Sequence, residues 1–177
     1  QMHGMVLVSG KGTPLTPFIG WQDERLLEES SHAGLSWLGL IKKKLGGVST
    51  KNTGITLRSG LMGATLFWLK ENGVLIKHKD AKALFLGDYV VQRLTKGKLL
   101  VDPTNACGSG LFDVKYNRWD KNILKALGVH ESFLPDIVPT GTIVGYYKKI
   151  PVYVSVGDLQ AAVAGSFLGE GQLSINI

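Results

Sequence analysis

The sequence predicts a mixed α/β domain in which helices cover a sheet, and three observations support this. Strand-like and helix-like segments alternate along most of the 177 residues. Hydrophobic residues make up 44% of the chain, enough for one core, and charged residues only 19%, which excludes a disordered chain. Because alternating strands and helices are typical of a sheet covered by helices, we expect a single α/β domain.

The first third of the chain contains two predicted strands and then helices. Residues 5–8 and 18–21 are predicted strands, separated by a turn at 10–14, and a helix should begin at Asp23. Apolar residues at helical spacing predict a helix that starts near Trp37 and stops at Gly46. The next helix is predicted over 61–72, with Gly73 as its left-handed cap.

Aspartates mark the start of the later helices. Asp88 is predicted to cap a helix that runs through Leu94, and Asp120 one over 121–127 that Gly128 ends. Residues 151–156 form a strongly predicted strand. Gly157, Asp158 and a predicted helix over 159–168 follow it. The sequence therefore predicts a strand-glycine-aspartate-helix junction near its end.

Charge and cysteine content exclude several classes of function. The net charge is +6, but the lysines are scattered except for Lys42, Lys43 and Lys44, and there is no basic-aromatic array, so we expect no nucleic-acid partner. The single cysteine, Cys107, excludes an intramolecular disulfide and a multi-cysteine metal site, and we expect no metal ligands and a reducing cytoplasm. No apolar run is long enough to span a bilayer and no signal peptide is visible, so no membrane association is expected.

The two ends suggest that the 177 residues are part of a longer chain. The sequence opens on Gln1 without an initiator methionine. It closes on the alternating residues 173–177, which are typical of a strand interrupted within a sheet. The pattern gives no indication of oligomeric state.

Asp158 is a candidate general base. Open α/β sheets commonly bind ligands beyond the carboxyl ends of their strands, where Asp158 is expected to lie. The alternative is that Asp158 only caps its helix. The two roles are compatible, because a carboxylate can bind backbone amides with one oxygen and a substrate hydroxyl with the other.

Two segments near the start carry groups that can bind a polar ligand. His3 follows an amide and a thioether, but a lone histidine is more often structural than a ligand contact. Trp21 offers an aromatic face beside Asp23 and Arg25, which can bind hydroxyls. The alternative for this second segment is a core tryptophan, a capping aspartate and a surface Asp–Arg pair.

Residues 102–110 are small, polar and rich in turn formers, which suits close approach of the backbone to a ligand. They are not a P-loop, because no Gly-Lys-Ser/Thr follows the glycines. Cys107 within the segment has no charged neighbour in the sequence, so we expect a small buried thiol rather than a nucleophile.

Taken together, these segments resemble the FGGY carbohydrate kinases along nearly the whole chain and in the same order. The matching residues are 1–4, 21–25, 60–69, 87–89, 102–114, 119, 134–135, 145 and 157–158. The resemblance implies an α/β domain of the ribonuclease-H-like type found in actin and hexokinase, with a mixed sheet and flanking helices. It also implies ATP and Mg²⁺ as cofactor and a small sugar as substrate.

The resemblance assigns roles to individual residues. It implies that Asp158 is the catalytic aspartate. The residues that it places at the sugar are Met2, His3, Trp21, Asp23, Arg25 and Gln160.

The segment from Gly157 to Gln160 is most similar to the sedoheptulokinases within this family, as are 63–68 and 88–91. Such an enzyme would transfer the γ-phosphoryl group of ATP to the terminal hydroxyl of a seven-carbon ketose. The alternatives are a kinase for xylulose, ribulose or glycerol, and a non-catalytic sugar-binding or regulatory module.

The sequence departs from the family pattern in two respects. The Asp-x-Gly-Thr-Thr turn that binds phosphate at the start of the family's first domain is absent, and so is the second, nucleotide-binding domain. Residues 1–177 are therefore expected to be part of the N-terminal domain. Because phosphoryl transfer depends on positioning and charge stabilisation, this chain alone is expected to be inactive.

Overall fold

The computed structural model of the chain describes residues 3–32 and 34–173. The predicted α/β class is confirmed, with strands and helices interleaved along the chain. The strands are β1 Val6–Val8, β2 Lys82–Leu84, β3 Leu100–Val101, β4 Phe112–Asp113, β5 Arg118–Trp119, β6 Asp136–Ile137, β7 Ile143–Tyr147 and β8 Ile150–Tyr153. The helices are α1 Trp37–Lys44, α2 Met62–Glu71, α3 Val74–Lys77, α4 Leu86–Thr95, α5 Pro103–Ala106, α6 Lys121–Leu127 and α7 Asp158–Gly165.

Strand pairing is mixed. Strands β3 and β6 are parallel, whereas β1–β2, β4–β5 and β7–β8 are antiparallel. Within the described residues these pairs remain separate two-stranded sheets rather than joining into one.

The core surrounds α2 and β1. Helix α2 is buried on nearly all sides, which is typical of a central helix. In β1, Leu7 belongs to the main core, whereas Val6 and Val8 pack with Leu84 on the other face of the sheet. Because successive side chains of a strand point to opposite faces, both faces of β1–β2 are covered.

Two of the predicted elements near the start are wrong. Residues 18–21 do not form a strand, because only Ile19 pairs, through two backbone bonds of 2.8 Å with Met5. Pro17 and Gly20 flank it, and both weaken strand pairing. The helix expected at Asp23 is only a 3₁₀ turn, Arg25–Leu27. The Asp23 carboxylate accepts hydrogen bonds from the backbone and the side chain of Arg25, and it does not cap a longer helix.

The helices with clear end signals are confirmed. Asp120 accepts hydrogen bonds from Asn122 N at 2.9 Å and Ile123 N at 3.1 Å, and Gly128 closes α6 at φ 65°. The prediction that Asp88 caps α4 is wrong. Phe85 is the N-cap of α4, and Asp88 lies buried in the first turn of the helix. The predicted strand over 151–156 ends earlier, at Tyr153. Residues 174–177 of the predicted last strand lie outside the described residues.

In the part of the chain that the structure describes, no helix has the length and apolar character needed to cross a membrane.

Candidate active site

The junction between β8 and α7 exposes Asp158. Gly157 is the N-cap, in an extended conformation without a side chain, so the alternative in which Asp158 is the cap is wrong. Asp158 is instead the first residue of the helix, and its Oδ1 accepts a 2.8 Å hydrogen bond from Leu159 N.

Two side chains from α5 hold this junction. The Gly157 amide donates to Thr104 Oγ1 at 2.7 Å. Asn105 Nδ2 donates to both the carbonyl oxygen of Ser155, at 3.0 Å, and its hydroxyl, at 2.9 Å. Residues 154–157 form no strand, so these bonds replace a ladder of backbone pairs in fixing the approach to Asp158.

Asp102 organises the segment that supplies Thr104 and Asn105. It is fully buried and caps α5 through a 2.9 Å bond from Asn105 N. Its carboxylate also accepts hydrogen bonds from Thr104 Oγ1, at 2.8 and 2.9 Å, and from Thr140 Oγ1 at 2.7 Å. Three donors on a buried carboxylate, the Thr104 and Thr140 hydroxyls and the Asn105 amide, make this segment a fixed support rather than a loose ligand-binding loop.

Asp88 is a second buried carboxyl at the junction, and sequence reasoning missed this role. Its Oδ1 accepts a hydrogen bond from the Ser155 hydroxyl. Its Oδ2 is buried without a hydrogen-bond partner in the described part of the chain. Burial raises the pKa of Asp88 to about 7; the nearby Asp102 charge adds to this and the Ser155 bond opposes it. The sequence predicted Asp88 only as a helix cap, because Ser155 lies 67 positions away in the sequence.

His3 is joined to the same segment as Asp158. The ring nitrogen Nδ1 of half-buried His3 lies 3.3 Å from the Gly108 carbonyl oxygen. The structure therefore connects His3 and the Asp158 junction through residues 102–110, at Gly108 and Thr104. Met2, the other residue expected here, lies outside the described residues.

Cys107 of the same segment is less buried than the sequence predicted. It is half-buried, and its sulfur donates to the Thr104 carbonyl oxygen at 3.0 Å. Burial and the Asp102 charge raise its pKa, which keeps it in the thiol form.

Trp21 and Asp23 lie at a cleft of about 450 Å³. The residues that line it are Trp21, Gln22, Asp23, Glu24, Leu27, Leu38, Arg58 and Ser59. Trp21 is 50% exposed, so the alternative of a core tryptophan is wrong. Among the described residues that line this cleft are neither His3 nor Asp158, so the structure does not show the predicted sugar ligands around one cavity.

Arg25 is committed to neighbouring side chains. Its guanidinium binds both carboxylate oxygens of Asp23, at 2.7 and 2.8 Å, and lowers the pKa of that carboxyl. It also lies 4.7 Å from the centre of the Trp68 ring. The predicted Asp–Arg pair is present, and it holds the Asp23 carboxylate through two hydrogen bonds.

The cleft depends on a close approach between two backbones at Gly60. Its φ is +82°, and a Cβ at this position would lie 1.9 Å from the Trp21 carbonyl oxygen. Only glycine fits both the conformation and the space. Gly60 therefore fixes the backbone that presents Trp21.

Gln160 lies on the first turn of α7, two residues after Asp158. The side chain is half-buried, and its Oε1 is buried without a hydrogen-bond partner within the described ranges.

The described residues do not fit Mg²⁺ as they stand. They contain no group of three or more His, Cys, Asp or Glu side chains that could hold a metal ion. The two buried carboxyls closest to the junction already bind hydroxyls, and Asp158 is the acidic group exposed there. No step is therefore assigned to a metal ion held by these residues.

The raised pKa of Asp88 predicts a pH-dependent stability. The folded chain binds this proton more tightly than the unfolded chain, whose carboxyl titrates near 3.8. This stabilisation is complete below pH 3.8 and is lost as the pH rises through about 7. Relative to Asp88→Asn, the free energy of unfolding of the wild type should fall by about 2.5 kcal/mol between pH 5 and pH 8. Urea midpoints of both proteins at the two pH values measure this, and a constant difference would contradict it.

The chain is similar in sequence to known proteins along most of its length. Residues 1–165 match the model of the N-terminal domain of the FGGY family of carbohydrate kinases. The chain is 31% identical over 167 residues to glycerol kinase 2 of Saccharolobus solfataricus, covering 89% of this chain and 32% of that protein. It is 32% identical over 139 residues to the xylulose kinase of Staphylococcus xylosus, covering 78% of this chain and 27% of that protein. The chain thus spans about a third or less of the length of these relatives.

Solved structures share the fold. The crystal structure of Plasmodium falciparum glycerol kinase with ADP superposes with a TM-score of 0.77 and 25% identity, over 93% of this chain and 34% of that one. The xylulose kinase of Lactobacillus acidophilus gives a TM-score of 0.74 at 21% identity, also over 93% of this chain and 34% of that one. The predicted fold class, that of the sugar kinases, is therefore confirmed. With residues 1–165 matching its N-terminal domain, the chain belongs to the FGGY family of carbohydrate kinases.

Proposed function

We propose that this chain is the sugar-binding part of an ATP-dependent kinase that phosphorylates a hydroxyl of a sugar or polyol. The observation that carries the proposal is the position of Asp158, exposed on the first turn of α7 after a junction that Thr104 and Asn105 hold in place. Asp158 acts as general base: it accepts the proton of the substrate hydroxyl as that oxygen attacks the γ-phosphorus of ATP, and ADP leaves. Family membership supports this reaction class.

The other predicted site residues supply binding in this proposal. His3 and Gln160 hydrogen-bond substrate hydroxyls, and Gln160 Oε1 lacks any other partner in the described part of the chain. The exposed ring of Trp21 packs on the apolar face of the sugar, beside Asp23. Arg25 contributes by orienting Asp23, and Met2 remains a proposed contact that the structure does not describe.

Replacing His3 or Trp21 by alanine in the complete enzyme should raise the sugar KM about tenfold, because each change removes one or two contacts to the substrate. The KM for ATP should stay near the wild-type value. His130→Ala is a matched control, since His130 is exposed and bonds only to the nearby Ser132 in the described structure. Steady-state kinetics with either substrate varied measure the effect, and unchanged sugar kinetics in both variants would remove these residues from the pocket.

The proposed sugar is sedoheptulose, phosphorylated at its terminal hydroxyl, on the strength of the segment Gly157–Gln160. Glycerol and xylulose are the alternatives, because relatives named as glycerol and xylulose kinases match most of this chain. A panel of these three substrates, assayed by ADP release from the complete enzyme, tests the choice. If kcat/KM is highest for glycerol or xylulose, sedoheptulose is rejected as the substrate, but the proposal of kinase activity still holds.

The complete enzyme is proposed to act in the cytoplasm on small-molecule sugar and ATP, with Mg²⁺ bound together with the nucleotide by residues outside this chain. The purified 177-residue chain should then release no ADP in a sugar-dependent manner, because it spans about a third of its relatives. A coupled assay of ADP release, run with and without sugar at a micromolar concentration of the chain, measures this. Sugar-dependent turnover at a rate unaffected by further purification would show that the chain is sufficient for catalysis.

A further inference from the structure

We propose that Asp88 is a positioning residue for Asp158, acting through the Ser155 hydroxyl to hold the junction between β8 and α7. The inference rests on the proposed function, in which Asp158 is the general base. It concerns a residue of α4 that sequence reasoning predicted only as a helix cap.

The hydrogen-bond pattern around Ser155 leaves its hydroxyl one direction in which to donate. Asn105 Nδ2 donates to Ser155 Oγ at 2.9 Å, so the hydroxyl accepts on that side. Its own proton is then directed to Asp88 Oδ1. Because a hydroxyl carries a single proton, Asp88 decides the orientation of Ser155.

A second, independent anchor lies two residues further on. The Gly157 amide donates to Thr104 Oγ1 at 2.7 Å, and this hydroxyl in turn donates to Asp102. Each anchor therefore joins the junction to a buried carboxyl through a hydroxyl. Two anchors on either side of a single residue, Val156, fix both the position and the direction of the backbone that enters α7.

Helix α4 is well placed to transmit this restraint. At its start, a Cβ on Gly87 would lie 2.8 Å from Ser155 Oγ, so its first turn is in direct contact with the junction. At its end, a Cβ on Gly145 of β7 would lie 2.9 Å from Thr95 Cβ. The start of α4 thus packs against the junction, and its end packs against the β7–β8 hairpin.

The cost of burying Asp88 supports a role beyond packing. Only 3% of the residue is exposed, and Oδ2 has no hydrogen-bond partner in the described part of the chain. An apolar side chain would avoid that desolvation penalty but would leave the Ser155 proton without its acceptor. Asp88 gains two contacts in return, one to Ser155, three positions before Asp158, and one to the Phe85 backbone.

The test compares kcat and sugar KM of the complete enzyme for Ser155→Ala, Asp88→Ala and Asp88→Asn. Ser155→Ala and Asp88→Ala should each lower kcat about ten- to a hundredfold, the scale of a small misplacement of a catalytic group, with sugar KM within threefold of wild type. Asp88→Asn should restore most of kcat, because its amide oxygen can accept the same bond. If Asp88→Ala does not fold, Ser155→Ala removes the same bond by loss of a single hydroxyl.

A second readout does not depend on catalysis. In the complete enzyme, the Gly157 amide should exchange with solvent at least tenfold faster in Ser155→Ala than in wild type, while amides of α6 keep their rates. Asp120→Asn is the matched control, because Asp120 caps α6 and has no contact with the junction in the described structure. An equal rise at α6 and at Gly157 in Ser155→Ala would mean general destabilisation and would overturn the proposal.

Combination with Asp158→Asn separates the two hypotheses. If Asp88 acts through the base, adding Ser155→Ala to Asp158→Asn should lower kcat no further. Normal kcat in Ser155→Ala beside a defective Asp158→Asn would overturn only the positioning role. Normal kcat in Asp158→Asn would overturn the proposed function itself.

Discussion

Asp158→Asn should lower kcat of the complete enzyme by about 10²- to 10⁴-fold, the usual contribution of a general base. An amide cannot accept the hydroxyl proton, so the attacking oxygen would have to lose it to solvent. The sugar KM should change much less, since the amide oxygen still accepts a hydrogen bond from the same hydroxyl. Single-turnover and steady-state measurements at saturating sugar and ATP give kcat directly.

The stability of this variant provides the internal check. Gly157, not Asp158, is the N-cap of α7, so the substitution should cost only about 0.5 kcal/mol of helix-dipole interaction. Asp136→Asn, an exposed carboxylate on β6, is a matched control and should keep wild-type kcat. If Asp158→Asn also kept wild-type kcat, Asp158 would not be the general base and another group would have to accept the hydroxyl proton.

Gly60→Ala should destabilise the chain by about 4 kcal/mol. The added methyl would meet the Trp21 carbonyl oxygen at 1.9 Å, and neither backbone can move away cheaply. The positive φ of +82° adds strain of about 1 kcal/mol for any residue with a Cβ. Urea unfolding followed by circular dichroism measures the loss.

Gly73→Ala separates the two contributions to this effect. Gly73 also has a positive φ, +71°, but a Cβ there would meet nothing within 4 Å. It should therefore cost only the strain, about 1 kcal/mol, and the excess in Gly60→Ala measures the close approach at Trp21. Equal losses in both variants would show that the Trp21 backbone yields, and that Gly60 does not fix the cleft.

Local signals account for what the sequence predicted correctly. Helix α6 was predicted to the residue because both of its end signals, Asp120 and Gly128, act within four positions of the helix ends. The prediction of a strand over 18–21 was wrong for a local reason as well. An isolated bridge to Met5 satisfies the backbone hydrogen bonds of Ile19 without any strand ladder.

The support of the candidate site could not be predicted in this way. Asp88 has the sequence appearance of a helix cap, and nothing near it indicates that its partner is Ser155. Asn105 and Ser155 are separated by 50 positions, and His3 and Gly108 by 105. Periodicity and capping patterns act over a few residues, so they identify Asp158 as exposed after a strand but not the side chains that orient it.

Those long separations also determine when the site forms during folding. The junction needs three segments at once: the first turn of α4, the α5 segment and residues 154–157, brought together across 50 to 67 positions. Each closure costs chain entropy before any hydrogen bond is gained, so contacts of this kind form late. The segments around Asp158 are therefore expected to become ordered together in the last step of folding, after the local helices have formed.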